Sequence, residues 1–356
     1  MPKVSVLVAV YNAEKFLPQC LDSLLGQTLS DIQIICVDDA STDNSLKVLN
    51  HYAVKDLRLE VIRLEENSGQ AHARNEALKI ATGDYICMVD ADDWLATDAL
   101  EQAVSAFDDE TDCVLFDVIM VYGQTSNLKP QTSNFKLQTS KFKPQTSNFK
   151  LQTSNFKEEP YPLPPFTALT GDEAFRLSLT WQIHGLYMVR GAIHHQHPYD
   201  ETCRLYSDDN TTRIHYVSSR QVRRCSGRYY YRQHPASATH RTSVRRFDYL
   251  KANESMKQQM LALHVGSDLL ALYENHRWLN LIDVCMFYHV HGHKLSESDR
   301  RYGLGEIRRV WATIDRHLLN KESTAKFGYR LCGSWTLFRL QEWLYFTLRG
   351  LLGRNR

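Results

Sequence analysis

The sequence lacks several features that would assign it to a common functional class. Its eight cysteines include no Cys-x-x-Cys pair, so neither a zinc site nor a disulfide framework is indicated. Its 42 basic and 41 acidic side chains nearly cancel, which argues against nucleic acid as a partner. No uncharged apolar run approaches the ~20 residues of a membrane span. No Gly-x-Gly-x-x-Gly follows the first predicted strand, which disfavours a dinucleotide oxidoreductase.

Four apolar, β-prone runs alternate with segments of helical spacing in the first 120 residues. The runs cover residues 4–10, 32–37, 59–64 and 84–89. This alternation predicts an α/β domain with a mainly parallel, Rossmann-like sheet. The chain enters the first run directly after Lys3, so we expect no signal peptide and a cytoplasmic location.

A seven-residue repeat, Gln-Thr-Ser-Asn-Phe-Lys-Leu with small variations, occupies residues 124–157. Its prolines and its polar Thr-Ser-Asn segments are unsuited to a coiled coil. We expect a low-complexity, disordered insertion, and a tether for an acceptor or partner is the functional alternative. The predicted divisions are therefore 1–123, the insertion 124–157, a second half over 158–246, and a helical C-terminal region over 247–356.

The sequence Asp90-Ala91-Asp92-Asp93 ends the fourth β-prone run. Ligands of open α/β sheets bind beyond the carboxyl ends of the strands, where these carboxylates would lie. Oxygen ligands at this spacing suit Mg2+ or Mn2+, and a phosphate-bearing substrate is the natural partner of such an ion. Taken alone, the same pattern is more often a helix cap.

Three further polar segments accompany the acidic cluster. They are Tyr11-Asn12 after strand one, Asp38-Asp39 after strand two, and residues 67–75 around the start of the third helix. This set, in this order and spacing, resembles the family 2 glycosyltransferases, which have the GT-A nucleotide-sugar fold. The likeness is strongest over about residues 1–120. The second half more loosely resembles bacterial members that build surface polysaccharides.

The resemblance implies how a nucleotide-sugar donor is held. Asp39 is expected to contact the nucleotide, and Tyr11 and Asn12 to line the base pocket. Gly69 permits close backbone approach, and Arg74 can reach the diphosphate. The structural alternatives are helix capping by Asp39, an ordinary turn at Tyr11-Asn12, and a solvent-exposed Arg74.

The same resemblance implies the metal ligands. Asp92 is expected to bind Mn2+ or Mg2+ directly, and Asp90 to contact the ribose or a metal-bound water. Such an ion offsets the charge that develops on the leaving nucleoside diphosphate. Asp93 is expected to begin the next helix as a cap, and Asn75 to support the acidic loop.

A general base is implied in an acidic pair further along the chain. The family most often has Glu-Asp there, and this chain has Asp208-Asp209. We assign Asp209 as the base that takes the proton of the acceptor hydroxyl, with Asp208 as its neighbour. A helix N-cap in the segment that begins at Ser207 is the structural alternative.

The remaining candidates are basic or aromatic. Arg232 resembles a residue near the diphosphate in relatives, and His234 or His240 would be further metal or phosphate contacts. The histidines of residues 194–197 lack a completing carboxylate or cysteine, so we expect them in a solvent loop. Residues 335–356 predict a basic, aromatic-rich amphipathic helix, which would either lie on an anionic membrane or pack on the catalytic domain.

The sequence thus predicts an inverting, metal-dependent glycosyltransferase of cell-surface polysaccharide synthesis. It would move a hexosyl or N-acetylhexosaminyl group from a nucleotide-diphosphate donor, with a UDP-sugar favoured, to a saccharide or lipid-linked saccharide. Peripheral contact with the inner face of the plasma membrane would follow from the membrane interpretation of the C-terminal helix. The alternatives are a non-catalytic saccharide-binding or scaffold subunit and a nucleotidyltransferase.

Overall fold

The computed structural model of the protein describes residues 2–123, 156–233 and 243–353. The predicted repeat insertion lies outside the described residues, except for its last two positions, which begin a strand. The predicted contacts of His234 and His240 also lie outside them.

The N-terminal part of the sheet forms by the predicted alternation. Its elements are β1 (Val4–Val10), α1 (Leu17–Leu25), β2 (Ile32–Asp38), α2 (Ser45–Ala53), β3 (Leu59–Arg63), α3 (Gln70–Ile80) and β4 (Tyr85–Met88). The strands pair in parallel in the order β3-β2-β1-β4. Nearly every residue of β1 is buried, as expected of a strand with both faces covered. Parallel pairing brings the polar segments after β1, β2 and β4 to one edge of the sheet.

The rest of the sheet is mixed. Its elements are β5 (Trp94–Leu95), α4 (Ala99–Ser105), β6 (Thr111–Gly123), β7 (Phe156–Pro160), β8 (Ala168–Thr170), α5 (Gly171–Leu179), β9 (Tyr187–Arg190), α6 (Gly191–Gln196), α7 (Ser207–Val217) and β10 (Gln221–Gln233). Strand β9 runs antiparallel between β4 and β6, and β10 pairs in parallel with β6. Val217 ends α7, and β10 is 13 residues long. The α/β fold class is confirmed.

The C-terminal region is helical, as predicted. Its helices are α8 (Asp248–Ala262), α9 (Ser267–His291), α10 (Glu297–Thr313), α11 (Lys321–Thr324) and α12 (Trp335–Leu351). The side-chain amide of Asn210 on α7 donates to the carbonyl of Ala252 on α8, at 2.8 Å, and so joins the helices to the sheet. The limits proposed for the four segments stay predictions.

Helix α12 has two different faces. Phe338 and Phe346 are buried in an apolar core, in which Phe338 packs against Trp278 of α9. The opposite face exposes a stripe of leucines, including Leu340 and Leu344. Within the described residues, no helix is long and apolar enough to cross a membrane.

Candidate active site

The acidic turn, residues 90–93, follows β4 and is fixed by the distant strand β10. The backbone amide of Asp93 donates to the carbonyl of Asp90 at 2.9 Å. The hydroxyl of Tyr229 donates to Asp93 Oδ2 at 2.8 Å and accepts from the amide of Asp90 at 3.1 Å. Burial, and the charges of Asp90 and Asp92, raise the pKa of Asp93. The helix-cap role expected of Asp93 is wrong, because it is buried inside the turn and strand β5 follows it.

Arg232 lies against this turn. Its backbone amide donates to Asp93 Oδ1 at 2.7 Å, and its Nε donates to the carbonyl of Asp92 at 2.7 Å. Its guanidinium sits 4.7 Å from the ring centre of Trp94 and 5.0 Å from that of Phe16. Arg232 therefore supports the backbone that presents Asp92, and the predicted contact with the nucleotide sugar stays a prediction.

Arg74 and Gln70, near the start of α3, bind Asp90 from the other side of the acidic turn. Arg74 Nη2 donates to Asp90 Oδ1 at 2.6 Å, and Gln70 Nε2 donates to the same oxygen at 3.1 Å. Arg74 is buried, not solvent-exposed, and its guanidinium lies 5.2 Å from the ring centre of Tyr199. Burial disfavours its charge, but Asp90, Tyr199 and Asp208 together hold the pKa of Arg74 above its usual value. Gln70 was not predicted from the sequence.

Asp39 holds the loop that leads into α3. Its carboxylate accepts from Asn67 Nδ2 at 2.9 Å and from the backbone amides of Ser68 at 2.7 Å and Gly69 at 2.9 Å. Gly69 has φ +97°, a conformation that an L side chain would strain. A carboxylate can accept about four hydrogen bonds, so these three leave one acceptor site on Asp39, which is only 3% exposed. The capping alternative for Asp39 is wrong, because Asp43 accepts from the first amide of α2 instead.

Tyr11 and Asn12 directly follow β1, at the edge of the sheet that also carries the acidic turn, but they differ in role. Tyr11 is 51% exposed, so its ring is available to a ligand. Asn12 has φ +52°, and its Oδ1 accepts from the amides of Thr42 at 2.8 Å and Asp43 at 3.3 Å. Asn12 thus joins the loops after β1 and β2, which fits the alternative of a structural turn.

Asp208 and Asp209 lie in the first turn of α7. The residue before the helix is Tyr206, with φ +67°, and it makes no side-chain cap. The N-cap alternative is therefore wrong for this pair. Burial raises the pKa of Asp209 to about 7; the cation of Arg213 opposes this rise and Asp208 adds to it. The charge of Asp208 helps to raise the pKa of Arg74. The acidic pair Asp208-Asp209 and the acidic turn therefore lie near the same buried guanidinium.

The loop that precedes α7, residues 199–201, is hydrogen-bonded to α3. Asn75 Nδ2 donates to the carbonyl of Tyr199 at 2.9 Å, and Asn75 Oδ1 accepts from the amide of the same residue at 2.8 Å. Asp200 Oδ2 accepts from Asn210 Nδ2 of α7 at 2.7 Å. The support expected of Asn75 is therefore given to residues 199–201 and not to the acidic loop.

The histidines of residues 194–197 do not form a solvent loop. They lie in and just after α6, where His194 is buried 4.5 Å from the ring centre of His215. Burial lowers the pKa of His194 to about 4, so it is neutral at pH 7. Among the described residues, no three His, Cys, Asp or Glu side chains are arranged to bind a metal ion by themselves. An ion at the acidic turn would need oxygen ligands from a substrate in addition to Asp90 and Asp92.

Comparison with known sequences gives matches to part of the chain. Residues 5–170 match the family model described as Glycosyl transferase family 2. The putative glycosyltransferase EpsH of Bacillus subtilis is 44% identical over 114 residues, which are 32% of this chain and 33% of that protein. The poly(ribitol-phosphate) beta-glucosyltransferase of Bacillus spizizenii is 50% identical over 101 residues, 28% of this chain and 16% of that protein. The matches thus span a third or less of these relatives.

Comparison with solved structures extends over nearly the whole chain. Residues 1–349 of Staphylococcus aureus TarS, in complex with UDP-GlcNAc, give a TM-score of 0.68 at 18% identity and cover 99% of this chain and 92% of that one. The mannosyltransferase PcManGT of Pyrobaculum calidifontis, in complex with GDP-Man and Mn2+, gives a TM-score of 0.50 at 17% identity, with 99% and 88% covered. At these identities the likeness shows a shared fold.

Proposed function

We propose that the protein transfers a sugar from a nucleotide-diphosphate donor to a saccharide or lipid-linked saccharide, since residues 5–170 match the family model described as Glycosyl transferase family 2. The observation that carries this proposal is the 2.6 Å ion pair between Asp90, after β4, and the buried Arg74 of α3, whose pKa is also raised by Asp208 of α7. This arrangement supports a donor site with the proposed acceptor base close to it. A UDP-sugar is favoured as donor, and surface polysaccharide synthesis as the setting, by analogy with TarS and the poly(ribitol-phosphate) enzyme.

The donor would bind along the edge formed by the strand ends. Tyr11 offers an exposed ring for stacking on the base. Asp39 has room for one further donor, such as a base N–H or a ribose hydroxyl, while it fixes the loop at Gly69. Arg74 and Gln70 keep Asp90 in position, and Arg232 supports the backbone at Asp92.

Mn2+ or Mg2+ would be held by Asp92 and Asp90 together with oxygens of the donor diphosphate. The all-oxygen donor set and the accumulated negative charge, which raises the pKa of Asp93, fit a hard divalent cation. When bound, such an ion stabilises the charge of the departing nucleoside diphosphate. The residues of the chain supply the two carboxylates and the rigid turn that presents them.

Asp209 would act as the general base. Its carboxylate takes the proton of the acceptor hydroxyl as that oxygen bonds to the anomeric carbon and the bond to the diphosphate breaks. Direct displacement of this kind inverts the anomeric centre. A base works best when its pKa is close to the working pH, and burial raises the pKa of Asp209 to about 7.

A donor panel tests the proposed reaction. We expect metal-dependent hydrolysis of at least one member of a set of UDP-, GDP- and dTDP-sugars with Mn2+, and no turnover after chelation with EDTA. Formation of a nucleotide sugar from a nucleoside triphosphate and a sugar 1-phosphate would assign nucleotidyl transfer instead. Donor binding without turnover would favour a non-catalytic saccharide-binding or scaffold subunit.

We also propose that α12 contacts an anionic membrane at the inner face of the cell envelope, where a lipid-linked acceptor would reside. Its exposed face carries Leu340, Leu344 and Leu348, which are 59%, 41% and 50% exposed. Residues 326–356 contain six basic side chains and one acidic one, Glu342, which is buried and bound by Arg339. An apolar stripe in a basic segment is suited to the interface of an anionic bilayer.

Vesicle pelleting tests this contact. We expect the wild-type protein to pellet with phosphatidylglycerol vesicles, and Leu344→Glu/Leu348→Glu to reduce the bound fraction at least about tenfold, because each buried leucine contributes about 1.5–3 kcal/mol. Leu57→Glu/Leu261→Glu, also at exposed leucines, is the matched control and should bind as the wild type does. Wild-type protein that stays in the supernatant would contradict the membrane role. These variants are preferable to deletion of α12, which would remove Phe338 and Phe346 from the core.

A further inference from the structure

Arg213 carries a buried charge that the proposed reaction does not use directly. Its side chain is 1% exposed, and neither Nη1 nor Nη2 has a hydrogen-bond partner. Nη2 lies 3.9 Å from Asp209 Oδ2, one helical turn earlier on α7, which is within ion-pair range but too long for a hydrogen bond. A buried guanidinium whose two terminal nitrogens lack hydrogen bonds is costly, so its presence beside Asp209 needs a reason.

The groups around this pair are mostly neutral. Tyr249 of α8 and Tyr273 of α9 both lie within the fields of Asp209 and Arg213, and burial raises the pKa of each. His276 of α9 is kept neutral because burial, and then Arg213, lower its pKa to about 3. The charges that act on Asp209 are those of Arg213 and Asp208. Arg246, which also faces Tyr249, forms an ion pair with Asp283.

Trp181 covers the guanidinium of Arg213. Its ring centre is 5.6 Å from the guanidinium carbon, and Trp181 as a whole is 46% exposed. Its backbone has φ +56°, a strained conformation for a residue other than glycine, and its carbonyl accepts from the hydroxyl of Tyr161 at 2.5 Å. The indole therefore shields the cation from water and strengthens its action on the neighbouring carboxylate.

We infer that Arg213 is a positioning residue for Asp209. The charge of Arg213 stabilises the ionised carboxylate of Asp209 without occupying the lone pairs of that carboxylate. A hydrogen-bonded arginine would compete for the oxygens that must receive the proton of the acceptor. A cation held 3.9 Å away leaves those oxygens open and still favours the basic form. This inference rests on the proposed role of Asp209 as general base.

The pH–rate profile of Mn2+-dependent UDP-sugar hydrolysis tests the inference, because water as acceptor needs the same base. The wild-type rate should rise with pH to a plateau, with a midpoint near 7, as Asp209 loses its proton. Arg213→Met and Arg213→Gln should both move this midpoint upward by about one pH unit or more, as expected on loss of an opposite charge. Arg213→Lys should restore the midpoint, and Asp208→Asn should move it downward.

Arg246→Met is the control, since this arginine faces Tyr249 but pairs with Asp283; its midpoint should stay at the wild-type value. A uniform fall in rate at every pH, with the midpoint unmoved in both neutral Arg213 variants, would overturn the inference. Should either neutral variant fail to fold, the other variant and the opposite shift of Asp208→Asn decide the outcome. Absence of hydrolysis by the wild-type protein would instead count against the proposed function.

Discussion

Replacing Asp209 with asparagine is expected to lower sugar transfer about 10²- to 10⁴-fold, the usual contribution of a general base. The amide cannot take a proton, but its shape preserves the first turn of α7. Donor affinity, measured by calorimetry with Mn2+ and UDP-sugar, should change little, because the proposed role of the carboxylate is toward the acceptor. The rise of the rate through about pH 7 should disappear in the variant.

Asp172→Asn serves as the control for this substitution. Asp172 is an exposed carboxylate in the first turn of α5, so like Asp209 it lies in the first turn of a helix, but without the burial. It should retain wild-type transfer and the wild-type pH profile. Full turnover by Asp209→Asn would show that another group accepts the proton and that the pair in α7 is structural.

Replacing Asp92 with alanine is expected to reduce both transfer and donor hydrolysis by about 1,000-fold, a loss of several kcal/mol of barrier stabilisation. Unlike Asp209→Asn, this variant should also lose the dependence of donor affinity on Mn2+. The turn itself should survive, because Asp93, Tyr229 and Arg232 make the bonds that fix it. Titration of Mn2+ at constant UDP-sugar measures both effects.

Asp109→Ala, at an exposed position outside the acidic turn, controls for the loss of one negative charge. It should bind Mn2+ and donor as the wild type does. An Asp92→Ala protein that keeps metal-dependent affinity and turnover would exclude the acidic turn as the metal site.

The grouping of polar residues at one edge of the sheet was predictable, because these residues follow β-prone runs directly. Parallel strands end on one side, so the positions of Tyr11, Asp39 and Asp90 in the sequence already imply their proximity. The helical spacing between these runs likewise predicted helices between the strands, where α1, α2 and α3 lie.

The supports of the site were not predictable, because they depend on contacts between distant parts of the chain. The sequence around Tyr229 does not indicate that it binds Asp93. The sequence around Gln70 likewise does not indicate that it donates a hydrogen bond to Asp90. Burial is equally hidden: Arg213 and His194 occur in polar segments and nonetheless lie inside the protein. The burial of these two side chains results from tertiary packing, which cannot be read from a single sequence.

Strand β10 also determines when the acidic turn, residues 90–93, can reach its final structure during folding. Tyr229 and Arg232 bind the acidic turn across 136 to 140 positions of sequence, so the turn stays incomplete until the second half of the domain has been synthesised. Contacts of such separation slow folding, although each doubling of an intervening loop costs only about 0.6 kcal/mol. Gain or loss of copies of the seven-residue repeat between β6 and β7 should therefore change the folding rate more than the stability of the finished site.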